Sequence, residues 1–219
     1  MAELIADPFR AARLLLTLRQ EGMTDPDVLA AMETIERAAF VDDPALEALA
    51  FEDAMLPIAC GQVMLRPSAT AHLIQAMALP RDRQGRVLMV GFGSGYMATL
   101  LSQLCAHVFA VERFCRLTQE GRARLARLGI ANVTLSQGDG LEGWPDQGPY
   151  DAIVLAGAVP EVPEGLAGQL ARDGTLVAPV NDAAGQAVLV RLIASGSERD
   201  RRPLFQWVPP LIEGCAQVL

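Results

Sequence analysis

From Arg86 onward the chain alternates short apolar runs with amphipathic stretches. The apolar runs, bounded by Gly, Asp, Asn or Pro, predict strands at 86–91, 107–112, 132–136, 149–156, 174–180, 186–194 and 203–209. Apolar residues three and four apart predict helices at 95–105, 114–128 and 163–171. Such alternation calls for right-handed crossovers, hence a mostly parallel twisted sheet with helices on both faces. The last strands are joined by short polar turns instead, Asn181–Gly185 and Ser195–Arg199, which predicts an antiparallel edge.

The first third follows a helical period. Asp7-Pro8 opens a helix carrying Leu14, Leu15 and Leu18 and stopping at Gly22. Asp25-Pro26 caps a second, with Val28, Leu29, Met32 and Ile35 on one face, and Pro67 opens a third through Ala78. Proline suits the first helical position because its missing N–H has no partner there anyway. Between Phe40 and Arg66 the period is lost, although the stretch stays apolar. A long apolar loop is expected to cover something. The expected organisation is a helical N-terminal extension with a substrate-covering loop (residues 1–80) and an α/β domain (residues 81–219), packed as one compact unit.

The candidate chemistry sits where the first strand of the α/β part ends. Arg86-Val-Leu-Met-Val90 runs into Gly91-Phe-Gly-Ser-Gly95 and then into an apolar helix. Glu112 ends the next apolar run, and Asp139 follows the third. Strand, glycine turn, helix and strand-end acid make an adenosine-binding half-fold, with the acid placed to accept ribose hydroxyls. A dinucleotide fold wants its third glycine where Tyr96 stands, and no Lys-Ser/Thr follows the loop, so neither a pyrophosphate nor a phosphate loop fits. A ligand with adenine and ribose but no phosphate fits, and S-adenosyl-L-methionine is the expected one, leaving S-adenosyl-L-homocysteine as product.

Charge narrows the partners. With 18 basic against 26 acidic residues the net charge is −8. Nucleic acid needs clustered Lys and Arg, and an anionic membrane repels an acidic chain, so neither is expected as a partner. Arg81-Asp-Arg83, Arg122-Ala-Arg124 and Arg199-Asp-Arg-Arg202 read as solvated faces. The start carries an acid where a signal peptide needs bases, and Leu14–Leu18 is too short to span a bilayer. Cys60, Cys105, Cys115 and Cys215 show neither metal nor disulfide spacing and read as buried free thiols in a reducing cytoplasm. His72 and His107 lie in apolar runs and read as packing residues, as do Trp144 and Trp207. A monomer is expected.

Several blocks resemble protein-L-isoaspartate O-methyltransferases: Phe51–Gln62, Val90–Tyr96, Val111–Arg113, Gly138–Pro145, Pro149–Ile153, Ala156–Pro163, Gln169-Leu170 and Leu176–Val180. They occur in the family's order from about residue 12 to about residue 211. The resemblance implies a Rossmann-like S-adenosylmethionine-dependent methyltransferase that esterifies L-isoaspartyl carboxylates in damaged proteins or peptides, starting their repair. By position, Gly91, Phe92, Gly93, Ser94 and Gly95 would cradle the methionine part, Glu112 would hold the ribose with Arg113 beside it, and Asp139 and Gly140 would meet the adenine.

Two departures from the family pattern stand out, at Met89 and in one motif. Met89 stands where the family usually has an acid. The motif Gly-Gln-Thr-Ile-Ser-x-Pro appears as Gly61-Gln-Val-Met-Leu-Arg-Pro67, so Val63 and Leu65 replace both hydroxyl residues, Leu65 at the position of the substrate-touching serine. Val63, Met64, Leu65 and Arg66 are the candidate acceptor contacts, with Arg66 either a compensating cation or a solvated charge. These departures leave two alternatives open: a methyltransferase of this fold with another acceptor, or a cofactor-binding protein without turnover.

Overall fold

A computed structural model describes residues 8–181, 187–194, 198–203 and 208–211; the side chains of Pro8 and of residues 198–203 are not described. The elements run α1 (Pro8–Gln20), α2 (Pro26–Thr34), β1 (Leu56–Pro57), β2 (Val63–Met64), α3 (Pro67–Met77), β3 (Arg86–Val90), α4 (Tyr96–Ser102), β4 (His107–Glu112), α5 (Cys115–Arg127), β5 (Val133–Gln137), β6 (Tyr150–Leu155), α6 (Glu164–Ala167), β7 (Leu170–Asn181), β8 (Ala187–Ile193) and β9 (Glu198–Pro203). Three prolines open α-helices among the described residues: Pro8, Pro26 and Pro67. Asp25 caps α2, accepting from the amides of Asp27 and Val28.

The main sheet has the order β5-β4-β3-β6-β7-β8-β9. The first five of these are parallel, and β8 and β9 are antiparallel, as the polar turns predict. The turns themselves lie largely outside the described residues, and so does Phe205–Trp207; the last strand falls at 198–203 rather than 203–209. A further element differs from expectation. Helix α6 is only Glu164–Ala167, because the chain re-enters the sheet at Leu170. There the Gln169 side chain receives the Trp144 amide and donates to the carbonyls of Glu142 and Gly165, ending the helix with a loop clamp.

Alternation along the parallel strands divides the core. Val87, Met89, Val108, Ala110, Ala152 and Val154 point to the face packed by α1 to α5. Leu88, Val90, Phe109, Val111, Ile153 and Leu155 point to the other, which meets Leu166 of α6. A strand turns successive side chains to opposite faces, so Met89 at the end of β3 belongs to the side covered by the helical extension.

The aperiodic stretch between Phe40 and Arg66 is a set of 3-10 turns and the small β1–β2 hairpin. It is organised by a charge. The Arg37 guanidinium, 3% exposed, donates to the carbonyls of Ala50, Glu52, Ala54 and Leu65. Those carbonyls belong to a stretch without regular sheet pairing, where only that of Glu52 is seen to take a turn bond, from the Ala54 amide, and a buried unpaired carbonyl is costly. Burial lowers the Arg37 pKa to about 10, which still leaves it charged at neutral pH. Asp53 fixes the far end by accepting from the Ser68 amide and hydroxyl at the start of α3.

Candidate functional site

Sheet order reverses between β3 and β6, so the chain diverges there and leaves a crevice beyond the strands' carboxyl ends, the usual ligand position in such sheets. A cleft of about 870 Å³, counted with its open mouth, occupies this place. Its floor is the loop Gly91–Ser94 with Tyr96 and Met97. One side carries Glu112, Arg113, Asp139 and Gly140; the other carries Val63, Met64, Leu65, Thr70 and Met89. Ala156, Gly157 and Pro209–Leu211 close the edge. The described tail is held by reciprocal bonds: the Ala158 amide donates to Pro209, and the Leu211 amide to Ala158.

Glu112 is 4% exposed and belongs to the loop as much as to its strand. Its Oε2 accepts from the Gly93 amide at 2.9 Å and its Oε1 from the Phe114 amide at 3.0 Å. A carboxylate has about four acceptor sites, so both oxygens keep capacity for a vicinal diol. Asp139 accepts from the Leu141 amide at 3.0 Å, starting the turn that brings Gly140 against β3. A Cβ on Gly140 would strike the Val90 side chain at 2.5 Å; that glycine is required by close packing of loop on strand.

The loop glycines divide into two kinds. Gly91, Gly93 and Gly95 all have positive φ, a conformation other residues rarely adopt. At Gly93 an added Cβ would meet only Ile58, at 3.5 Å, so this stretch of main chain is open to a ligand. Gly95 is different. A Cβ there would lie 2.5 Å from the Phe92 ring, and one on Gly121 of α5 would lie 2.4 Å from the same ring. Phe92 is therefore packed between two glycines beneath the loop, and Gly95 serves that packing rather than bare approach to a ligand.

Arg124 also serves the loop. It donates to the Ser94 carbonyl at 2.8 Å and pairs with Asp42 of the N-terminal extension. The expectation of a solvated Arg122–Arg124 face is thus corrected at Arg124, which is buried; α5 turns it inward over the Phe40 ring. Arg66 is corrected as well. It is the N-cap residue of α3 and does not line the cleft; its charge lies near those of Glu21 and Asp53. Val63, Met64 and Leu65 do line it, and so does Met89, 1% exposed.

Arg37, Thr70 and Arg124 escape a sequence-only reading. The partners of Arg37 lie thirteen to twenty-eight residues downstream, and no local pattern marks them. His107 stands at the opposite end of β4, stacked on Phe109 and bonded to Thr134. Cys105 is buried, while Cys60 and Cys115 are half-buried; all three are free thiols, and Cys215 lies outside the described residues. Among the described residues no helix is long and apolar enough to cross a membrane.

A glycine loop after the first strand, a buried acid ending the second and an acid-led turn after the third, all on one reversal crevice without a phosphate loop, define a Rossmann-like S-adenosylmethionine-dependent methyltransferase. Comparison with known proteins narrows the class. The family model for protein-L-isoaspartate(D-aspartate) O-methyltransferase matches residues 10–201, and the chain belongs to that family. The protein-L-isoaspartate O-methyltransferase of Xanthobacter autotrophicus is 43% identical over 206 residues, covering 94% of this chain and 93% of that one. A solved protein-L-isoaspartate O-methyltransferase superposes with a TM-score of 0.80 at 24% identity, over 94% of this chain and 67% of the other. The Plasmodium falciparum structure with S-adenosyl-L-homocysteine gives 0.73 at 23% identity, over 90% and 96%. Both structures speak to the fold.

Proposed function

We propose that the protein methylates the carboxylate of L-isoaspartyl residues in damaged proteins or peptides, the step that opens their repair. The observation that carries this reading is one cleft with two unlike walls. Open main chain at Gly93 beside Glu112 suits a nucleoside donor, and the apolar wall of Val63, Met64 and Leu65 faces it in a chain 43% identical to a named enzyme of this activity.

In this reading the Gly91–Gly95 loop holds the donor's methionine part, Glu112 accepts from the ribose with Arg113 beside it, and Asp139 and Gly140 border the adenine. When bound, S-adenosylmethionine supplies an electrophilic methyl group on a sulfonium, which an acceptor carboxylate oxygen takes with loss of both charges. The carboxylate is ionised at neutral pH, so the chain needs no general base. What the residues contribute is alignment and dryness. Charge is lost along the reaction, and an apolar wall that excludes water favours that loss. Leu65 and Met89 fit this role, being buried and free of polar atoms that would need partners.

The reading extends to a monomer working in the cytoplasm. Three free thiols suit a reducing compartment. Large apolar side chains are exposed only at Phe9, Leu16, Leu49 and Leu128 among the described residues. The direct test uses two synthetic peptides identical but for one isoaspartyl linkage. Mass spectrometry should find a methyl ester on the isoaspartyl peptide alone; an ester on neither, while a lysate protein is methylated, would favour the alternative of a different acceptor.

A further inference from the structure

Leu65 removes a hydroxyl from the acceptor wall, and the structure shows another beside it. Arg66 is the N-cap of α3, so Leu65 precedes the cap and Thr70 is the fourth helical residue. Apolar side chains at these two positions often meet at a helix start. Both are buried, and both line the cleft.

The Thr70 hydroxyl is set apart from other helix threonines. Thr17, Thr34 and Thr118 each donate to the carbonyl four residues back, the usual resting place for such a group. Thr70 has that carbonyl available, since its amide already donates to Arg66 at 3.0 Å, yet its hydroxyl makes no bond to it or to any other described residue. Nor is the oxygen among the sealed, unpartnered ones, as that of Thr99 is. A side chain only 1% exposed therefore keeps an unsatisfied hydroxyl open to the cleft. Leaving a buried hydroxyl unbonded is costly unless a ligand completes it. Of the other polar side chains at this end, Gln62 donates to the Cys60 carbonyl, and Ser94 accepts from the Tyr96 amide. Among the described residues the Tyr96 phenol and the Ser94 O–H, both in the cleft lining, share the condition of Thr70.

From this we infer that Thr70 orients the acceptor, donating its hydroxyl to the carboxylate oxygen that is not methylated. The inference rests on the proposed isoaspartyl reading and names the residue that takes over the orienting bond absent at Leu65. An orienting hydroxyl is a specificity device, because an acceptor lacking the oxygen leaves a buried donor unpaired.

The test is Thr70→Val, nearly isosteric and apolar, beside Thr70→Ser, which keeps the hydroxyl. Thr70→Val should lower kcat/KM for an isoaspartyl peptide roughly ten- to a hundredfold while calorimetric affinity for S-adenosylhomocysteine stays within about twofold. Thr70→Ser should keep most activity, and Leu65→Ser should rescue Thr70→Val by returning a hydroxyl next door. Unchanged kcat/KM in Thr70→Val overturns the inference and leaves the isoaspartyl reading standing. So does an equal loss of S-adenosylhomocysteine affinity, which would put the hydroxyl on the donor's amino-acid end. A loss carried by Tyr96→Phe instead would move the role to the phenol. A wild-type protein that ignores the isoaspartyl peptide sinks the reading and the inference together.

Discussion

Glu112 Oε2 accepts the Gly93 amide at 2.9 Å, joining the side of the cleft to its floor, from the end of one strand to the turn after its neighbour. The acid that would grip a ribose is thus the same group that shapes the loop beside it. Glu112→Ala removes an acceptor from two amides, Gly93 and Phe114. Hydrogen bonds to a charged group are worth about 1.5–3 kcal/mol each. S-adenosylhomocysteine affinity should fall at least about tenfold by calorimetry, and urea unfolding should show a loss of about 3 kcal/mol or more. Unchanged affinity would break the ribose assignment.

Phe92 lies between Gly95 and Gly121, with would-be Cβ contacts of 2.5 and 2.4 Å. Gly121→Ala has helical backbone and no conformational strain, so any loss comes from overpacking. Chemical denaturation should show a cost of about 1–3 kcal/mol. Phe92→Leu should recover part of it, because the smaller side chain yields the space. Full additivity of the two changes would show that the ring does not sit there.

Arg124 joins the Ser94 carbonyl to Asp42. Arg124→Met keeps the stem and deletes the guanidinium, leaving a buried carbonyl of the glycine loop unpaired. Stability should fall by about 1–3 kcal/mol. Donor affinity should fall with it, since the loop loses its tie to α5. Asp42→Asn should cost less, because its side chain is half exposed and solvent screens the pair. An Arg124→Met protein with wild-type S-adenosylhomocysteine affinity would confine Arg124 to stability.

Because the reaction needs no general base, the methyl-transfer rate should stay flat from roughly pH 6 to 9, where the acceptor is ionised. Stability has its own pH dependence at the far end of β4. Burial, then the charge of Arg86, lower the His107 pKa below 6.5. The unfolded chain therefore takes its proton first, and stability falls as pH drops through 6.5 toward the folded value. His107→Gln should flatten that limb of the stability curve without moving activity. A bell-shaped rate profile near neutrality would contradict the base-free chemistry.

The strand and helix pattern was legible because both periods are strong from Arg86 on, and because Pro8, Pro26 and Pro67 punctuate the first third. The cleft's glycine and acid positions were legible for the same reason: Gly91, Glu112 and Asp139 each follow the end of an apolar run. Purposes were harder to read. Gly95 looks like an open loop glycine, yet its neighbour Phe92 fills the space, a tertiary fact with no local mark. Arg37 and Arg124 look like surface charges until distant carbonyls need them. Arg66 looked able to reach the acceptor, but its place as cap of α3 sets it off the wall.

The central claim is acceptor choice, and a single competition measures it. Equal amounts of an isoaspartyl peptide and its aspartyl twin share one tube with radiolabelled S-adenosylmethionine and the wild-type protein. The account predicts base-labile label on the isoaspartyl peptide and none above background on its twin. Label divided evenly between the two, or absent from both while the protein still binds S-adenosylhomocysteine, would contradict it.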